Sequence, residues 1–200
     1  MERCLVNVGK KPLILAGTIG PVVTIIAIFV DIYLSPWFSW SKNALSDLGV
    51  HPYSYIFNGS LIFEAAMNSV FIYVLYRILR KKRGSLTLLF ISGISLGLVG
   101  VFNENSPYDL HLIFALIYFI VFPIAIILFV LRNDYFPGSI SKISVVMAII
   151  ALAVIIVGIL QVFSVLKISG VGLAVPETVE AILLGAWSAT CSLNVYIREQ

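Results

Sequence analysis

Apolar residues in this chain run in long, nearly unbroken stretches, and polar residues collect in the gaps between them. A helix needs about 20 mostly apolar residues to cross about 30 Å of hydrocarbon. Six stretches meet that length, at roughly residues 12–34, 53–79, 85–102, 110–131, 142–166 and 176–197. No period-2 alternation is present, so the pattern does not support a membrane β-barrel. The first stretch follows Arg3, Lys10 and Lys11. It is longer than the apolar core of a secretory signal and lacks an Ala-x-Ala site after it, so it reads as a retained helix. The expected fold is all-α: a polytopic six-transmembrane-helix bundle forming one integral membrane domain over residues 1–200.

Composition agrees with this pattern. The chain is 60% hydrophobic and 12% charged, against about 45–50% and about 25% in soluble domains. That excludes an ordinary soluble enzyme and a disordered chain. The net charge of +3 gives no reason to expect nucleic acid as a partner. Cys4 and Cys191 form no metal-ligand spacing and no disulfide framework.

The basic residues set the orientation. Alternating six spans puts Arg3, Lys10, Lys11, Arg77, Arg80, Lys81, Lys82, Arg83, Arg132, Lys142 and Arg198 on one side, leaving Lys42 and Lys167 on the other. The positive-inside rule then places both termini in the cytoplasm of a multi-pass cell-membrane protein. The run at 80–83 reads as a topology determinant that could also touch anionic lipid. The longest loop, 35–52, is too short to carry a separate soluble activity.

Acids sort the other way. Asp31, Asp47, Glu104, Asp109, Glu177 and Glu180, with both histidines, map to the outer side. Asp109, Glu177 and Glu180 suit helix N-termini, with Pro176 at a first helical position. Asp31 and Glu104 sit near helix C-termini, where the dipole disfavours them. Glu64 falls near the middle of the second stretch, where a charge costs at least about 2.5–3.5 kcal/mol. Ser60, Glu64 and Asn68 recur at i, i+4, i+8 and form one polar stripe with Asn58 near its outer end. Such a stripe faces the bundle interior, as a cavity wall or a hydrogen-bonded seam. His111 follows Glu104 and Asp109 closely and suits acid/base work, while His51 lies in a loop.

Weaker patterns concern packing. Gly93, Gly97 and Gly100, and separately Ala181, Gly185, Ser188 and Ser192, present small helix faces. Trp37, Phe38 and Trp40 suit an interfacial aromatic belt. No nucleophile elbow, phosphate loop or His-x-x-x-His pair is present. A zinc site would need ligands recruited across helices, and no cofactor is expected.

Several of these residues carry a family pattern. Leu45, Ser46, Asp47, Leu48 and Gly49 precede the second span, which continues with Phe57, Asn58, Leu61 and Ile62. The third span ends in Gly100, Val101, Phe102, Asn103 and Glu104, and His111 opens the fourth. Over roughly residues 12–131 this resembles the prokaryotic multi-pass family called domain of unknown function 998, and more distantly the DRAM/Sfk-type membrane proteins. The resemblance implies a six-span bundle and brings no known reaction. The residues it carries over are Ser46, Asp47, Gly49, Asn58, Gly100, Phe102, Glu104 and His111. Asn103 stands where similar sequences often have Pro.

Both lines of reasoning point to a polar site on the outer side, built from Ser46, Asp47, Asn58, Glu104 and His111 with Glu64 beneath. Three functions follow. The foremost is binding of a membrane lipid or a membrane-protein partner, which could be a second copy. The second is an intramembrane lipid hydrolase, with or without a metal, with Glu64, Glu104 and His111 as candidate catalytic groups. The third is a small proton-coupled transporter with Glu64 as the titrating group.

Overall fold

The computed structural model describes residues 11–79, 83–131 and 135–199. Cys4 and the basic positions 80–82 and 132 lie outside them. After a short helical turn, Lys11–Ile14, six long helices follow: α1 (Ala16–Leu34), α2 (Ser54–Ile78), α3 (Arg83–Val101), α4 (Leu110–Leu131), α5 (Gly138–Val162) and α6 (Ala174–Arg198). Short 3-10 segments occupy Ser46–Val50 and Pro107–Asp109. Among the described residues, α1 to α5 are long and apolar enough to cross a membrane. At 25 residues α6 has the length, but Glu177, Glu180 and Asn194 interrupt its apolar run.

Each helix packs on its neighbour in sequence, and α6 packs back on α1, so the six close into a ring. Short connections between packed neighbours make the ring an up-and-down bundle. One end carries the segments 35–53, 102–109 and 163–173 and is the loop-rich end. The other carries Lys11, Arg77, Arg83 and Arg198 and is the basic end.

Small residues bring the helices close. A Cβ on Gly97 would lie 2.9 Å from Ala65 Cβ, and one on Gly100 would lie 2.5 Å from the Asn58 carbonyl. The glycine face of α3 therefore packs on α2. The small face of α6 packs on α1 and α2. Gly185 meets Pro21, Ser188 donates to Asn68 Oδ1 at 3.1 Å, and Ser192 donates to the Ile14 carbonyl at 2.7 Å.

Toward the basic end, aromatic and aliphatic side chains pack between the helices. Trp187 lies edge-on to Phe122 and Phe129, with ring centroids 5.7 and 6.2 Å away, and its indole N–H donates to Ser144 Oγ at 3.0 Å. Phe71, Leu75, Leu86, Leu89 and Ile126 are buried around this cluster. Between α4 and α5 the half-buried Tyr135 hydroxyl donates to Glu199 Oε1 at 2.9 Å. Burial, and then the Glu199 charge, pushes this phenol up from its ordinary value of 10.0.

Two helices start earlier than the apolar pattern implies. α5 begins at Gly138 directly after Pro137, admits Lys142 into its second turn, and ends at Val162. Ser164, at φ 57°, breaks it where the apolar run continues to 166. α6 begins at Ala174, so Pro176 is its third residue rather than its first. No side chain caps α6. Instead the loop before α2 supplies the acceptors: Gly172 N–H donates to the Trp40 carbonyl and Ala174 N–H to the Asn43 carbonyl, both at 2.9 Å. Unpaired N–H groups at a helix start need such partners, and here they come from a distant loop that a local reading does not reach.

Candidate functional site

The loop-rich half holds an open space. An open-mouthed cavity, about 610 Å³ with the space at its mouth included, runs between α1, α2, α3, α4 and α6. Its walls are mostly apolar, among them Ile28, Leu61, Leu96, Val99 and Phe119. Its polar groups are Thr24, Ser46, Glu64, His111, Tyr118 and Glu177.

Glu64 lies ten residues into α2, about 15 Å along it at 1.5 Å per residue. It is buried, and the Thr24 and Asn68 side chains flank its carboxyl. The predicted stripe faces inward throughout, with Ser60, Glu64 and Asn68 all buried. Part of it is seam: Thr24 donates to the Ser60 carbonyl at 2.9 Å, and Asn68 accepts from Ser188. Glu64 alone of the three borders the cavity. A charged group at this depth stays in a fold only where partners or a cavity receive it.

Ser46 comes from the 3-10 segment Ser46–Val50, which two side chains fix. Asp47 Oδ2 accepts from Asn43 Nδ2 at 2.6 Å and from Ala44 N–H at 3.1 Å. Asn58 Nδ2 donates to the Gly49 carbonyl at 2.9 Å, and its Oδ1 has no partner. A Cβ on Gly49 would sit 2.8 Å from that Oδ1, so glycine permits the close approach. Asp47 and Asn58 thus position the segment and do not border the cavity.

His111 opens α4 beyond a tight turn in which Tyr108 and Asp109 take φ of 60° and 52°. Its Nδ1 lies 2.8 Å from the Phe102 carbonyl. A carbonyl can only accept, so Nδ1 carries the hydrogen, and this bond fixes the ring beside the cavity. Glu104 sits in the same turn and is exposed. It does not border the cavity, but its charge reaches Glu177.

Glu177 belongs to the site although its position beside a helix start gives it an ordinary structural reading. It borders the cavity, and its Oε2 accepts from Leu45 N–H at 2.5 Å. Ser46 lies against the same carboxyl, and Asp47 and Glu104 add negative potential to it. The structure therefore brings Ser46, Glu64 and His111 together around one space, adds Glu177, and leaves Asp47, Asn58 and Glu104 around its rim. Only the spatial meeting of the 35–53 loop with α6 could reveal Glu177.

Asp31 also finds a tertiary explanation. It is buried at the end of α1, where its own helix dipole disfavours it; its carboxyl lies near the backbone of Phe57 in the opening turns of α2, and its Oδ2 accepts no hydrogen bond. The N-terminal end of a neighbouring helix compensates for the C-terminal end of its own.

At the surface of the same end, Tyr33, Trp37, Trp40, Tyr53 and Tyr108 are exposed. Trp37 stacks on His51 with ring centroids 3.8 Å apart. Among the described residues, no three His, Cys, Asp or Glu side chains gather as a metal site would require.

A bundle of membrane-length helices around a mostly apolar cavity that holds two glutamates defines a multi-pass membrane protein. Residues 18–194 match the family described as Protein of unknown function (DUF998), and the chain belongs to that family. No curated protein and no solved structure matches it.

Proposed function

We propose that the protein spans the cell membrane six times, with both termini cytoplasmic, and binds the head of a membrane lipid in the cavity at its loop-rich, outer end. The observation that carries this reading is the composition of the cavity wall. Apolar side chains line most of it, and a few polar groups, Ser46, His111, Glu177 and the deeper Glu64, stand on it. Such an arrangement suits a molecule that is apolar along its body and polar at one point. The exposed aromatic residues at that end suit a headgroup interface. The basic end, with Lys11, Arg77, Arg83 and Arg198, suits the cytoplasmic side, and the packing of α6 on α1 and α5 supports counting it as the sixth span.

Intramembrane lipid hydrolysis is the second reading, favoured by His111, whose ring is held through Nδ1 and borders a space that Glu177 shares. Native mass spectrometry of protein extracted in mild detergent tests the first. Wild-type protein is expected to retain lipid, and Ala181→Phe, which fills the cavity wall, to lose most of it. Equal retention by both would refute lipid binding in this cavity, and turnover of the retained lipid that stops in His111→Ala would favour the hydrolase.

A further inference from the structure

A second cleft of about 410 Å³ lies between α4, α5 and α6, beside the first cavity. The two share Ala115, Phe119 and Glu177 as a dividing wall. Apart from Glu177, the side chains around the second cleft are apolar, Leu112, Leu116, Ile155, Ile159 and Val162 among them, with one exception.

That exception is Glu180. It is 1% exposed, and its Oε1 accepts no hydrogen bond. It sits six residues into α6, about 9 Å from the helix start at 1.5 Å per residue. Leaving a buried acceptor unsatisfied is costly, more so for a carboxyl group than for an amide. No side chain on the facing α4 or α5 wall of this cleft is a cation or an N–H donor. Among the residues that border the cleft, none supplies a donor to this oxygen.

We propose that this cleft binds the protonated primary amine of a lipophilic amine, with the ammonium donating to Glu180 and the apolar body lying between α4 and α5. The charge requirement follows from the neighbourhood: Glu177 adds a second carboxyl to the wall and contributes to the field at Glu180. The N–H requirement follows from the unpartnered oxygen. A quaternary ammonium brings the charge and cannot donate, whereas a primary ammonium does both. A neutral alcohol donates without the charge. This site does not depend on lipid occupying the first cavity.

The probe is dodecylamine, titrated by calorimetry into full-length protein in a non-ionic detergent, with dodecyltrimethylammonium and dodecanol as comparisons. Dodecylamine is expected to bind at one saturable site at least roughly tenfold tighter than either comparison, the scale of one hydrogen bond to a charged group. Glu180→Gln should remove that preference. Gly158→Leu should weaken all three probes, because Gly158 borders the cleft and a Cβ there meets Leu173 and Pro176 only at 3.6 Å and beyond. That variant keeps both carboxyls and puts a better helix former inside α5, so it decides the matter even if Glu180→Gln does not fold. Equal affinity for dodecylamine and dodecyltrimethylammonium, or undiminished dodecylamine binding in Gly158→Leu, would overturn the proposal.

Discussion

The backbone N–H of Leu45 donates to Glu177 Oε2 at 2.5 Å. This bond ties the loop before α2 to the first turn of α6, across 132 residues of sequence. It also fixes one wall of the cavity, because Leu45, Ser46 and Glu177 all border it. Replacing Glu177 with Ala should lower stability by about 1–3 kcal/mol, since Leu45 N–H is left without its acceptor. Gln keeps an acceptor at that place, so Glu177→Gln should lose less. The unfolding midpoint in detergent, compared across the three proteins, checks the order.

Gly172 supports the same junction from the other side. A Cβ there would sit 2.8 Å from the Asn43 carbonyl oxygen and 2.9 Å from Lys42 N and the Trp40 carbonyl oxygen. Backbone cannot rotate away as a side chain can, so Gly172→Ala should cost about 1–3 kcal/mol, the usual range for overpacking. Limited proteolysis should then cut the 35–53 loop faster than in the wild type. Unchanged cleavage would mean the loop is not held by this contact.

The glycines of α3 should differ sharply from one another. Gly100 allows a 2.5 Å approach to the Asn58 carbonyl, whereas a Cβ on Gly93 meets nothing nearer than Asn68 Cβ at 3.8 Å. Gly100→Ala should therefore destabilise by roughly 1–3 kcal/mol, and Gly93→Ala should be neutral or stabilising through helix propensity. Thermal melting of the two variants side by side measures the contrast.

Asn68 and Ser188 form a buried bond between α2 and α6. Polar pairs between membrane helices couple by about 0.6 kcal/mol on average and up to about 1.7 kcal/mol. A double-mutant cycle of Asn68→Ala and Ser188→Ala should return a coupling in that range. A coupling of zero would remove this bond from the forces that hold α6 in the ring.

Helix positions were legible in the sequence because the membrane demands long apolar runs. The starts of α5 and α6 were less so, because Pro137 and the carbonyls of Trp40 and Asn43 decide them rather than hydropathy. The inward stripe of Ser60, Glu64 and Asn68 was readable from 3.6-residue spacing and the cost of burying an unreceived charge. Which side chains of the predicted site would share a space was not. Asp47 and Asn58 turn to the backbone of their own loop, and Glu177 arrives from the far end of the chain. From sequence, Asp31 and Glu177 are legible only against their own helices, while the groups beside them, the Phe57 backbone and Leu45 N–H, belong to other elements.

Lipid binding in the outer cavity is tested most directly by photolabelling in reconstituted vesicles with a lipid carrying a diazirine in its acyl chain. The cavity account expects labels concentrated on peptides bearing Leu61, Val99 and Phe119, which border the cavity, and expects excess unlabelled lipid to suppress them. Labels spread evenly over the exposed outer faces, such as Ile149 and Ile156 of α5, with no suppression by unlabelled lipid, would contradict it.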